Sequence, residues 1–295
     1  MEAELPEGIS LLRNGVFGHD SYGSAYLFGE EELTLVDPGT SKSVTDLLDW
    51  FKNSEYSLSD LNSILLTHVH LDHCGATGDL VQKVPDVTVY LHEKGARHLK
   101  DPSDLLSSVK RATGERFEQY GGLKPVPEEK VFPIDGEREL EIGGRRIHAL
   151  PTPGHAPHHI AYFDRKSGGL FTGDSAGLYL DEKLIPATPP PTFNLEQCLE
   201  SLDKMKALEP STLLFAHFGP GQPPTGLLDD YGSVIRSWVD RVGELYSDGL
   251  PPDEISKRVG SERSEWFVDG FAPEELEMNV RGVVKYLDWR EDELG

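Results

Sequence analysis

Residues 63–75 read SILLTHVHLDHCG, and no other stretch narrows so far what this chain can become. Positions 63–67 form a short β-branched and aliphatic run that reads as a strand. It stops where four metal-competent side chains begin: His68, His70, Asp72 and His73. At the end of a strand, the i, i+2 spacing puts the His68 and His70 imidazoles on the same side of the backbone. Asp72 and His73 are then expected in the turn, free to curl toward a second point nearby. So short a segment cannot wrap all these groups round one small ion without strain, but it can serve two ions lying close together. Buried without a metal, the same groups would be left short of partners. A site for a pair of divalent cations follows, provided that distant segments supply the remaining ligands.

The second half of the chain offers them. Residues 145–150 read as a strand that runs into Pro151-Thr152-Pro153-Gly154-His155, a rigid turn ending in an imidazole. The run Leu170-Phe171-Thr172 is followed by Gly173-Asp174, and the strand at 212–216 ends at His217. Each of these strands thus delivers a ligand-type side chain at its end. In the first half, a strand at 33–36 leads into Asp37-Pro38-Gly39, where Asp37 can either hydrogen-bond a ligand imidazole or cap the turn.

Strands are also expected at 9–12, 24–28 and 87–91. Helices are expected at 43–53, where Val44, Leu47, Leu48 and Phe51 recur at helical spacing, and at 76–83, where Pro85 stops the run. Such β-α-β-α-β alternation predicts an α/β architecture with helices covering sheet faces. Residues 93–125 read as a helical insertion, either a lid or wall beside the site or a solvated helical pair. After Gly221 the chain turns helical, with helices expected at 227–246, 252–259 and 273–287 and breaks at Pro251-Pro252 and Gly270. The expected organisation is a catalytic unit over 1–221 and a helical extension over 222–295, packed on the core or on a second subunit as a homodimer.

Composition limits the partners. A formal net charge of −23 over 295 residues disfavours nucleic acid, whose phosphates need clustered Lys and Arg. No apolar run approaches the roughly 20 residues of a membrane span. The opening MEAELPEGIS lacks the basic-then-apolar order of a signal peptide, so a soluble cytoplasmic protein is expected. Cys74 and Cys198 are then expected as reduced thiols, Cys74 packing under the ligand turn.

Taken together, HVHLDH, the PTPGH at His155, the TGD at Asp174 and the AHFG at His217 resemble the metallo-β-lactamase superfamily of metal-dependent hydrolases, over roughly residues 9–220. The strings TPGHAPHHIAYF, TGDSAG and ATPPPTFNLEQCLESLDKMKAL look most similar to its glyoxalase II-like branch. The resemblance implies an αββα four-layer sandwich with the active site along one edge. It implies that His68, His70 and His155 hold a first metal, that Asp72, His73 and His217 hold a second, and that Asp174 bridges them. His159 matches a companion histidine expected to stand behind the ligands. Imidazole and carboxylate donors suit zinc first, with iron or manganese also compatible.

A water held between two cations about 3.5–4 Å apart becomes a strong nucleophile near neutral pH, and Asp72 is placed to orient it and shuttle its proton. The expected reaction is hydrolysis of a small ester, thioester or lactone. Two features depart from better-known branches. The third residue after Asp174 is Gly177 where quorum-signal lactonases carry a nearby tyrosine, and the residues with which glyoxalase II grips glutathione are not recognisable. An iron-dependent sulfur dioxygenase or a small nuclease or phosphodiesterase is the alternative, the latter disfavoured by the charge. Candidate substrate residues are His19, Tyr22, Tyr120, Tyr179 and Phe193, with Pro189-Pro190-Pro191 as a stiff wall.

Overall fold

The computed structural model describes residues 4–16, 19–267 and 273–294. β1 (Ile9–Val16), β2 (His19–Phe28) and β3 (Leu33–Val36) form an antiparallel meander, and α1 (Val44–Asn53) crosses to β4 (Leu61–Leu65), parallel to β3. The one-turn α2 (Leu71–Cys74) and α3 (Thr77–Lys83) lead to β5 (Thr88–His92). α4 (Glu93–Lys100), α5 (Ser103–Thr113) and α6 (Phe117–Tyr120) then lead to β6 (Val131–Ile134). The first sheet runs β1-β2-β3-β4-β5-β6.

β7 (Arg138–Ile142), β8 (Arg145–Pro151), β9 (Ile160–Asp164) and β10 (Gly169–Gly173) form a second antiparallel run. A small hairpin, β11 (Leu178–Leu180) with β12 (Lys183–Ile185), and α7 (Leu195–Ala207) precede β13 (Thr212–Phe215) and β14 (Pro220–Gly221). The second sheet is ordered β14-β13-β10-β9-β8-β7. The chain finishes with α8 (Pro224–Ser247), α9 (Pro252–Glu262) and α10 (Pro273–Leu294).

Alternation along the strands separates the layers. In β2, Tyr26 and Phe28 meet Tyr162 and Phe171 of the second sheet, while Ala25 and Leu27 face the helical layer that holds Leu47 and Phe51 of α1. In β13, Leu214 points between the sheets, and Leu213 and Phe215 point out to α8. Helix, sheet, sheet, helix is the result: an αββα sandwich. The outer layer on the second sheet is made by α7 together with the C-terminal helices, since Tyr231, Ile235 and Trp238 of α8 share one apolar cluster with Leu170 and Phe215. That cluster runs without interruption across Gly221. Pro252 opens α9, as a proline at the first helical position can; Gly270 lies outside the described residues.

Two tyrosines tie sheet to sheet at one rim. The Tyr26 hydroxyl donates to the Phe215 carbonyl at 2.7 Å, and the Tyr162 hydroxyl donates to the Leu66 carbonyl at 3.0 Å. Backbone bonds from Ser24 N–H to Ala216 and from Ile160 N–H to Thr67, each 2.8 Å, join the sheets at the same rim. No helix among the described residues is long and apolar enough to cross a membrane.

Candidate metal centre

The rim that carries these ties also carries the ligand-type side chains. His70 ends the extended run after β4 (φ −73°, ψ 150°), and the chain then coils. Cys74 N–H bonds the His70 carbonyl at 2.9 Å, and Gly75 N–H bonds that of Leu71 at 3.0 Å. The segment expected as a turn is therefore the single-turn helix α2, which carries Asp72 and His73; the His73 ring stays 4.0 Å from that of His68 while its Nε2 turns toward Asp72 and Asp174. Cys74 packs in the apolar layer beneath it, and burial pushes its thiol pKa up.

Two sets of ligand atoms result, each with all members within 4.8 Å of one another: His68, His70, His155 and Asp174, and Asp72, His73 and His217. In the first set His70 Nδ1 lies 2.9 Å from His68 Nε2 and 3.0 Å from His155 Nε2. Asp174 divides its carboxylate between the sets. Its Oδ2 is 3.4 Å from His155 Nε2, and its Oδ1 is 3.2 Å from His217 Nε2 and 3.4 Å from His73 Nε2. Asp72 Oδ2 completes the second set at 3.7 Å from His217 Nε2 and 3.8 Å from His73 Nε2.

The surrounding hydrogen bonds fix the tautomers. Asp37, at φ 46°, accepts Thr67 N–H at 2.8 Å, the Thr67 hydroxyl at 2.6 Å and His73 Nδ1–H at 3.0 Å. Thr67 has spent its proton on Asp37, so at 3.0 Å its Oγ1 accepts from His68 Nδ1–H. His155 Nδ1–H donates to the Ala187 carbonyl at 3.0 Å, and His217 Nδ1–H to that of Tyr22 at 3.3 Å. Each of these four rings therefore turns a bare Nε2 lone pair inward, the arrangement that orients metal-bound histidine. Two such lone pairs point at His70 Nδ1, where one proton could satisfy only one of them.

Among the described residues, His73 Nε2 and Asp174 Oδ1 are buried with no hydrogen-bond partner. Each such atom costs about 1–3 kcal/mol unless something fills its place. Neutral imidazoles and carboxylates converging with orphaned atoms fit divalent cations of the zinc, iron or manganese type. Burial lowers His68, His70 and His155 below the usual histidine range and so favours their ligating neutral form. For Asp174, burial alone would oppose ionisation, but in the metal-free chain a proton on His73 holds its carboxyl well below the ordinary range. Asp174, Asp72 and Asp37 raise His73 well above the usual histidine range against the effect of burial, and a cation at the same place would supply that positive charge instead.

Behind Asp174 stands His159, fully buried. Its Nε2 accepts the Asp174 backbone N–H at 3.1 Å, and its Nδ1 lies 2.8 Å from Ser175 Oγ and 2.9 Å from Thr152 Oγ1. Gly173, at φ 50°, must be glycine here, because a Cβ would lie 2.4 Å from His159 Nε2.

Above the ligands opens a cavity of about 500 Å³ with His70, Asp72, His155 and Asp174 in its floor. Of the expected substrate residues, Tyr22 and Tyr120 line it; His19, Tyr179 and Phe193 do not. Leu178 and Ile185 pair across the β11–β12 hairpin and both face the cavity, so strand alternation turns Tyr179 away, onto Phe215 at a ring separation of 5.3 Å. Phe193 precedes the Asn194 cap of α7 and folds under the helical layer against Tyr286. His19 starts β2, half-buried, apart from the lining. Pro189 and Pro190 do wall the site.

The insertion contributes Val109, Ala112 and Thr113 of α5, and the C-terminal helices and the link between them contribute Trp266, Phe267, Leu276 and Asn279. Arg116 and Glu275 join these two flanks by an ion pair at 2.6 Å. The late helical wall had no distinctive signal in the sequence beyond amphipathic spacing.

A family model for the metallo-beta-lactamase superfamily matches residues 20–217. The chain is 33% identical over 221 residues to the metallo-beta-lactamase fold-containing protein ST1585 of Sulfurisphaera tokodaii, covering 73% of this chain and 80% of that one. The crystal structure of ST1585 superposes with a TM-score of 0.72 at 26% identity, over 94% of this chain and 98% of the other. A probable metallo-hydrolase of Bacillus subtilis, YqgX, is 30% identical over 196 residues, 66% of this chain and 83% of its own. A hydroxyacylglutathione hydrolase of Vibrio parahaemolyticus is 30% identical over 200 residues, 67% of this chain and 61% of its own.

Proposed function

The chain belongs to the metallo-beta-lactamase superfamily and is a metal-dependent hydrolase of that family, and from that premise we propose that it uses two divalent cations, zinc foremost, to hydrolyse a small ester, thioester or lactone with an apolar substituent. The observation that carries this reading is the division of Asp174 between two ligand sets at the floor of a largely apolar cavity. When bound, such cations would supply Lewis acidity toward a carbonyl oxygen and an acidified water as nucleophile.

The chain's own residues do the rest. Asp72 is the most exposed of the second set, its side chain 14% accessible, so its carboxylate can accept a proton from the attacking water and pass it to the leaving group. The Tyr22 hydroxyl, 3.5 Å from Asp72 Oδ2, donates to it and limits its rotation. Leu178, Ile185 and Trp266 would receive the apolar part of the substrate and exclude water around it. Among the described lining residues Lys257 is the only Lys or Arg, and it is paired with Asp253 at 3.2 Å. That lining favours an uncharged acyl compound over a polyphosphate or nucleic acid.

The test is metal analysis joined to hydrolysis of matched esters, thioesters, lactones and phosphodiesters. Purified protein is expected to hold close to two cations per chain. Asp72→Ala is expected to lower kcat by about 10²–10⁴-fold. Unchanged ester hydrolysis after complete removal of metal by a chelator would overturn the proposal.

A further inference from the structure

The segment 186–191 reads PATPPP, so only Ala187 and Thr188 have a backbone N–H to anchor it. Both are spent on the C-terminal helices. Ala187 N–H donates to the Tyr231 hydroxyl of α8 at 3.4 Å, and Thr188 N–H donates to Asn279 Oδ1 of α10 at 2.5 Å. The fully buried Thr188 hydroxyl donates to the Asn279 carbonyl at 2.9 Å and accepts Trp238 Nε1–H at 3.1 Å. Asn279 Nδ2 donates to the Glu275 carbonyl at 3.1 Å, which fixes the amide with its oxygen toward Thr188. On the same face of α10, a Cβ at Gly282 would lie 1.8 Å from the Thr188 carbonyl oxygen, so the helix reaches the loop only because glycine stands there. Between these anchors sits the Ala187 carbonyl that receives His155 Nδ1–H.

We propose that Asn279 is a positioning residue for the metal centre: by holding Thr188, it sets the Ala187 carbonyl that aims His155 Nε2 at the first ligand set. The inference rests on the reading that the two sets take cations. It extends the machinery beyond residues 20–217, to a helix that supplies none of the ligands. Loss of this hold loosens His155 while leaving Asp72, His73 and His217, whose hydrogen bonds run to Tyr22 and Asp37, in place.

The experiment titrates metal-free protein with Co²⁺, followed by its visible absorption, and with Zn²⁺ against a chromogenic chelator, alongside thermal melts of the metal-free forms. Wild type is expected to take up two cations in two resolvable steps. Asn279→Ala is expected to weaken one step by about 10–100-fold, the usual scale for a group that orients a ligand, and to leave the other within ~3-fold. Asn279→Asp keeps an acceptor facing Thr188 and is expected to restore most of the lost affinity. Asn279→Gln, which moves the acceptor by one methylene, carries the expectation of the alanine variant should that variant fail to fold.

Tyr286→Phe loosens α10 elsewhere, at its bond to Glu196, and is expected to change neither step. Equal weakening of both steps, no weakening, or a Tyr286→Phe profile matching Asn279→Ala would overturn the inference. Wild type that takes up no cation would instead overturn the proposed function itself.

Discussion

The floor of the cavity and the side chains just beneath it come from short segments at strand ends, His68 to His73, His155, Asp174 and His217, each ring except that of His70 held by a hydrogen bond on its far side. The walls come from α5, α9, α10 and a proline-rich loop, and most of their contacts with the cavity are apolar. A floor built on strand ends inherits the rigidity of two paired sheets, because each ligand lies within a few residues of the ladder. A wall built on helices rests mostly on side-chain packing, which tolerates substitution of similar volume, with the Arg116–Glu275 pair and the hold of Asn279 on Thr188 as its polar fixings. Chemistry is therefore concentrated where the backbone is most constrained, and selectivity where it is least.

The largest expected effect tests the floor. Asp37→Ala removes the acceptor of Thr67 N–H, the Thr67 hydroxyl and His73 Nδ1–H together. Zinc affinity at the second set is expected to fall by about 10–100-fold, and titration of metal-free protein measures it. The stranded donors should also lower stability by about 1–3 kcal/mol, seen by chemical denaturation. Retention of both properties would erase the distinction between floor and wall.

A smaller effect is expected in the wall. Leu276→Ala should leave two cations bound and kcat nearly unchanged while raising KM for long-chain esters by up to about tenfold, the scale of ~1–2 kcal/mol of lost apolar burial. A chain-length series of esters reads this directly. Loss of metal in that variant would show the wall to be part of the floor.

The smallest effect concerns Glu275, which burial pushes above the ordinary glutamate range despite Arg116 beside it. The folded protein therefore binds this proton more tightly than the unfolded chain does. Its contribution to stability is complete below the unfolded pKa and is lost as pH rises through the folded one. Glu275→Gln should flatten that part of the Tm profile just above the usual glutamate range. An unaltered slope would remove Glu275 from the account.

The floor was legible in the sequence because its signals are local. A strand followed by HVHLDH, or by PTPGH, specifies both the residue and the backbone that presents it. The four-layer sandwich came only with the family resemblance that the ligand motifs carry, whereas the α/β class was legible in the succession of strand and helix signals over residues 24–91. The walls were not. Tyr179 and Phe193 carry the same signal as a substrate aromatic, yet hairpin register turns one onto Phe215 and helix packing buries the other beside Tyr286. Trp266, Leu276 and Asn279 lie well beyond His217 in the chain, and amphipathic spacing does not say which cavity a helix will border. The Ala187 carbonyl is a backbone group with no side-chain signature at all.

The tyrosine ties between the sheets have a mechanical meaning. Tyr26 and Tyr162 reach their carbonyls just before His217 and Thr67-His68, so the sandwich is bound like a book along the spine that bears the ligands. The opposite margin is clasped as well, where the Arg145 guanidinium of the second sheet donates to the Gly8 carbonyl ahead of β1 at 2.6 Å, so the covers are held on both sides and the gap the cations would span is set by a closed frame.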